Sequence, residues 1–123
     1  MNKFFCFLSI LFLSFLPLNV SAADFIDGFE DIPLMKGLRQ IENQNFSFGN
    51  EESGYTEAIL ISSQNKNFED VKNFYHRILP QFGWKLTNES SKHLNFTREN
   101  DVLEIFRQQN KPLKVLVSLK SKN

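Results

Sequence analysis

The chain has 123 residues, with 14 basic and 14 acidic side chains, 14 phenylalanines and a single cysteine. This size holds one small domain, so a multidomain enzyme is excluded. The balanced charge gives no pull toward nucleic acid, and one cysteine cannot build an internal disulfide framework.

The first segment is a greasy run behind a positive start. Met1-Asn2-Lys3 carries the amine and one lysine, and Phe4–Leu18 is apolar apart from Ser9, Ser14 and Pro17. Small residues follow at Val20, Ala22 and Ala23. This is the layout of a secretory signal peptide, and it predicts cleavage between Ala22 and Ala23. The run is shorter than the ~20 apolar residues of a spanning helix. Retention as an uncleaved anchor is the alternative. Cys6 stands at the start of the apolar centre rather than after it, so it does not fit a lipid-attachment site. Cleavage removes it, and the chain that follows has no thiol for a disulfide, a metal or a nucleophile. It also has no stable membrane span.

Residues 23–43 read as an irregular lead-in. Asp24, Asp27, Glu30 and Asp31 alternate with aromatics, and Pro33 and Gly37 argue against a helix. Ile32, Leu34, Met35 and Leu38 are expected to tuck against the domain, and the first residues to be mobile. The acids miss the spacing of a calcium loop, so they read as a solvated leader.

A single α+β domain is expected over 44–120. Asn45–Phe48 alternates polar and apolar, and Tyr55–Ile61 is rich in β-branched and aromatic residues; both read as strands. The connector between them carries Glu51-Glu52 in a turn-rich setting, where water keeps both carboxylates ionised. Val71, Phe74, Tyr75, Ile78, Leu79 and Phe82 then fall on one stripe at helical period. Asn67 suits the N-cap, Glu69 and Asp70 the first turn, and Gly83 the left-handed position past the end. Pro80 predicts a kink or a loosened last turn.

Beyond Gly83 the period becomes two. Trp84 and Leu86 share a face, as do Leu94 and Phe96, Leu103 and Ile105, and Val115, Val117 and Leu119. The breaks at 88–92, 99–101 and 110–112 are turn-like. The expected architecture is a two-layer sandwich. One amphipathic helix, about 68–82, packs on an antiparallel sheet of five or six strands in the order ββαββββ.

The run Val71–Trp84, written V-x-x-F-Y-x-x-x-L-P-x-x-G-W, resembles a motif of small secreted alphaproteobacterial proteins. Asp31–Leu38 agrees with it. Phe96–Ile105 is similar to that family's F-x-R-E-G-x-x-L-x-I, with Asn100 where glycine is usual. Asparagine is the next-best residue for a positive φ. The resemblance covers most of residues 31–119. That family has no assigned activity, so the resemblance implies export and fold and carries over no functional residues.

Reactive constellations are missing from the pattern. His76 and His93 lie on different elements without metal-ligand spacing and read as surface histidines. No G-x-S-x-G elbow or phosphate loop occurs, and no cofactor is implied. The N-x-S/T triplets at Asn45, Asn88 and Asn95 matter only in a eukaryotic secretory pathway. Phe74, Tyr75, Phe82 and Trp84 form the strongest aromatic group. They read as the joint between helix end and sheet, or as an apolar groove in which Phe74, Tyr75 and Trp84 touch a ligand or partner. Lys111, Lys114, Lys120 and Lys122 read as a charged sheet edge that discourages aggregation, or as a contact to anionic membrane. The functional expectation is an exported, non-catalytic interaction module of the bacterial envelope. Its place is the periplasm, with secretion beyond it as a variant, and its partner an envelope protein or peptide. The module would bind through the uncovered sheet face or an edge strand. The alternative is a carrier of a small apolar ligand or lipid, with a pocket between helix and sheet.

Overall fold

The computed structural model describes residues 24–41, 46–49, 54–63 and 65–121. The signal segment with its Ala22-Ala23 junction and Cys6, the triplet at Asn45, the Glu51-Glu52 pair and Lys122 lie outside the described residues.

Among the described residues, seven strands and one α-helix follow in chain order: β1 (Leu38–Gln40), β2 (Phe46–Gly49), β3 (Gly54–Ser62), α1 (Phe68–Ile78), β4 (Lys85–Ser90), β5 (His93–Arg98), β6 (Asp101–Asn110) and β7 (Leu113–Ser121). All pairings are antiparallel, and the spatial order is β1-β3-β7-β6-β5-β4. β2 also pairs with β3, next to β1 along the same margin. The sheet is therefore an open one of six rows, with α1 laid on one face. This is the expected α+β sandwich.

The alternation along each strand decides which face is covered. Ala58, Leu60, Val115, Val117, Leu103, Ile105, Leu94 and Phe96 are all buried, and the registers place them side by side. On the helix and the turn that follows it, Phe68, Val71, Tyr75 and Leu79 join the same core, with Phe74, Ile78 and Phe82 partly buried around it. The helix starts where its cap predicts. Asn67 Oδ1 accepts from the Asp70 N–H at 2.9 Å, and Asp70 Oδ2 accepts from the Asn67 N–H at 3.0 Å. It stops at Ile78, short of the expected 82, because Pro80 has no N–H to give. Leu79–Phe82 tighten into a 3-10 turn, closed by Gly83 at φ 89°.

Three local readings differ from the expectation. The stretch read as irregular contributes β1, and Ile26 and Phe29 are as deeply buried as Ile32, each 1% exposed. Strand β4 runs through Asn88–Ser90, which read as a turn, because a register shift between Leu86 and Asn88 lets it keep pairing with β5. In the β5–β6 turn the positive φ falls on Glu99, at 56°, instead of on Asn100. With Arg98 paired to Asp101, Glu99 is the first of two central residues, where a type II′ hairpin needs that sign.

Candidate functional site

Tyr75, Phe74 and Trp84 are held as core. Tyr75 is fully buried on α1 and donates from its hydroxyl to the Pro33 carbonyl at 2.6 Å. Burial pushes its phenol well above the usual value, while a backbone hydrogen bond from Met35 acts the other way. The Phe74 ring stands edge-on to Tyr75, with centroids 4.8 Å apart. Trp84 is 3% exposed and is covered by Arg98, whose guanidinium carbon lies 4.2 Å from the ring centroid. The Trp84 indole N–H has no hydrogen-bond partner among the described residues.

Two cations missed in the sequence fasten the covering layer. Arg98 Nη1 donates to Asp31 at 2.7 Å and to the Phe82 carbonyl at 2.9 Å, tying the lead-in and the helix end to β5. One of the leader acids is thus a structural partner rather than merely solvated. Lys72 is 8% exposed. It donates to the Ser90 carbonyl at 3.1 Å and lies 3.5 Å from Glu89, which also meets His76 at 3.1 Å. These contacts clamp α1 to the margin strand β4. A sequence signal existed for both residues. Arg98 continues the buried series Leu94, Phe96, and Lys72 sits four residues after Phe68 and three before Tyr75 on the helix stripe.

The structure does hold an open groove of about 690 Å³ at the far end of the molecule, lined by Ser62, Ser63, Asn65, Lys66, Asn67, Asn110, Lys111, Pro112 and Leu113. Neither Phe74, Tyr75 nor Trp84 lines it. Among the described residues, no group of three or more His, Cys, Asp or Glu side chains is placed to share a metal ion. No described helix is long and apolar enough to cross a membrane.

The second face of the sheet is the candidate interaction surface. Its residues alternate with the core ones, and neither α1 nor the lead-in packs there. The registers align them in cross-strand rows. Ile59, Leu116, Phe106 and His93 form an apolar row across β3, β7, β6 and β5. Phe106 is 37% exposed there, and the His93 ring meets it edge-on with centroids 6.5 Å apart. On one side of this row stand Glu57, Ser118, Glu104 and Asn95. On the other side stand Arg39, Ile61 and Lys114. Tyr55 donates to Glu57 at 2.6 Å; partial burial, and then that carboxylate, push its phenol upward.

This arrangement corrects one reading of the lysines. β7 lies between β3 and β6, so Lys114 and Lys120 border an open face and do not guard a sheet edge. Chain order put β7 last, but pairing put it in the middle. No family model, curated protein or solved structure matches the chain.

Proposed function

We propose that the protein is an exported, non-catalytic interaction module of a bacterial envelope, kin to the small secreted alphaproteobacterial proteins it resembles, and that it binds a protein partner through the open face of its sheet. The leader supports export: a positive start, an apolar centre and small residues ending at Ala22. The observation that carries the binding role is the apolar row Ile59–Leu116–Phe106–His93, left on the face opposite α1. A small domain gains by hiding such a row against a partner. The Phe74–Tyr75 and Trp84–Arg98 contacts belong to the scaffold on the other face of the sheet.

The test expresses the full chain in a Gram-negative host with a photo-crosslinking benzoylphenylalanine in place of Phe106. The expected result is a protein in the osmotic-shock fluid that begins at Ala23 and forms a crosslinked protein adduct on illumination. Full-length chain in the cytosol would refute export, and a shock-fluid protein that captures nothing would refute the binding role.

A further inference from the structure

The open face carries a charge pattern that names its occupant. Resting on the module reading above, we infer that the partner is a second copy of this chain, packed face to face about a two-fold axis that lies along the apolar row.

The argument starts from the registers. Take the row Ile59–Leu116–Phe106–His93 as the centre line. One step along the strands to one side, ~7 Å away on the same face, lie Glu57, Ser118 and Glu104 on β3, β7 and β6. One step to the other side lie Arg39, Ile61 and Lys114 on β1, β3 and β7. A half-turn about the centre line exchanges the two sides and keeps every strand opposite its own copy. The apolar row then meets itself, and each acidic side meets a basic side.

The match is specific at β7. Lys114 comes to face Ser118 of the second copy, with that copy's Glu57 and Glu104 one strand to either side, ~4.8 Å away. Ser118 is 8% exposed, with the Tyr55 hydroxyl beside it, so the lysine head meets the two carboxylates from above rather than entering between them. Glu57 accepts from Tyr55, and Glu104 lies 3.9 Å from His93. Neither carboxylate has a lysine or arginine within ion-pair distance among the described residues, and Lys114 and Arg39 likewise have no acid. Both sides therefore bring unspent charge to the contact. The pattern is also isologous, as a two-fold interface must be, and sheets stack in this way with strands nearly aligned.

The other classes of occupant fit less well. An anionic lipid surface or a nucleic acid would meet Glu57 and Glu104 head on. An added peptide strand would use a sheet margin and leave this row uncovered. The four central strands offer roughly 500 Å² per copy at ~4.8 Å strand spacing, the low end of specific interfaces. An interface of this size belongs with weak, reversible associations rather than obligate dimers.

The experiment is sedimentation equilibrium on the purified protein across a micromolar to millimolar series, with two charge variants. Lys114→Glu makes both sides acidic, and Glu57→Lys with Glu104→Lys makes both sides basic. The expected result is a two-chain mass for the wild type, at least a hundredfold weaker self-association for each variant alone, and a two-chain mass again when the variants are mixed. All substitutions lie on the open face, and circular dichroism confirms the fold. If the double variant unfolds, Glu104→Lys alone takes its place. A wild type of one-chain mass at millimolar concentration overturns the inference, as do variants that dimerise like the wild type or a mixture that does not associate. The Phe106 crosslink separates this from the module reading. An adduct between two copies supports both. Capture of a different protein by a monomer overturns the dimer and keeps the module, and no adduct overturns both.

Discussion

Tyr75 joins two layers with one side chain. Its ring sits in the core beside Phe74, and its hydroxyl satisfies the Pro33 carbonyl, forty-two residues away in sequence. Removing the hydroxyl leaves that buried carbonyl short of a donor, which costs about 1–2 kcal/mol. The same burial sets a pH dependence whose sign is fixed. The phenol is held in its neutral, protonated form, so its folded pKa is raised above the ordinary 10.0. The folded state therefore binds the proton more tightly than the unfolded chain. This contribution is fully present below pH 10 and is lost as pH rises through the folded value. Unfolding free energy should fall above pH 10 at ~1.4 kcal/mol per pH unit for this one group. In Tyr75→Phe, stability at neutral pH should drop by about 1–2 kcal/mol, while the alkaline decline becomes shallower by one proton's worth. Urea titrations between pH 7 and 11 check both statements. An equally steep alkaline decline in the variant would mean that the linkage belongs to other groups, Tyr55 first among them.

At the scale of elements, the β5–β6 hairpin carries its strain in a single place. Glu99 holds φ at 56°, which costs a residue with a Cβ about 1 kcal/mol relative to glycine. Glu99→Gly should raise stability by about 0.5–1 kcal/mol, read as a midpoint several degrees higher in thermal melts. Asn100→Gly should bring no gain, because the positive φ does not fall there. The opposite ranking would show that the turn is of another type. Local chemistry made much of the architecture legible: the helix from its stripe, its start from Asn67 and Asp70, the loosening of its last turn from Pro80, and the meander from its alternation. Features fixed by distant pairing were not legible. β1 is three residues long and shows no alternation of its own; it is a strand because Leu38, Arg39 and Gln40 pair with Ser62, Ile61 and Leu60. The middle place of β7 is equally a matter of partners. The open-face row was hidden for the same reason. Ile59, Leu116, Phe106 and His93 lie on four strands, and each is only the off-beat of its own alternation until the registers set them in line. Lys72 and Arg98 were hidden differently, since polar residues on apolar periods read as interruptions when they are contacts.

For the whole molecule, the lead-in is the piece whose importance the sequence understated most. Ile26, Phe29 and Ile32 are buried to 1% exposure each, and Met35 and Leu38 to below 10%. They cover part of the same sheet face as α1, which is too short at 11 residues to cover six rows of sheet alone. The segment is held internally by Ile26 N–H to the Ile32 carbonyl at 2.9 Å and by Leu34 N–H to the Asp24 carbonyl at 2.8 Å. A pair of bonds between Gln40 and the Asp27 backbone also lies within it, and it is held externally by Asp31 to Arg98 and by Tyr75 to the Pro33 carbonyl. Each of its fully buried side chains contributes about 1.5–3 kcal/mol by leaving water. Three of them together match most of the ~5–15 kcal/mol net stability of a small domain. Deleting the segment would also leave the buried Tyr75 hydroxyl without the Pro33 carbonyl and the Arg98 charge without Asp31. A chain starting at Gln44, the boundary suggested by the strand pattern, should therefore fail to fold. It should lose near-ultraviolet dichroism from Trp84 and Tyr75 and melt without a cooperative transition, whereas a chain starting at Asp24 keeps both. A cooperative melt of the shorter chain near the midpoint of the longer one would make the lead-in an ornament, and the sheet with α1 sufficient by themselves.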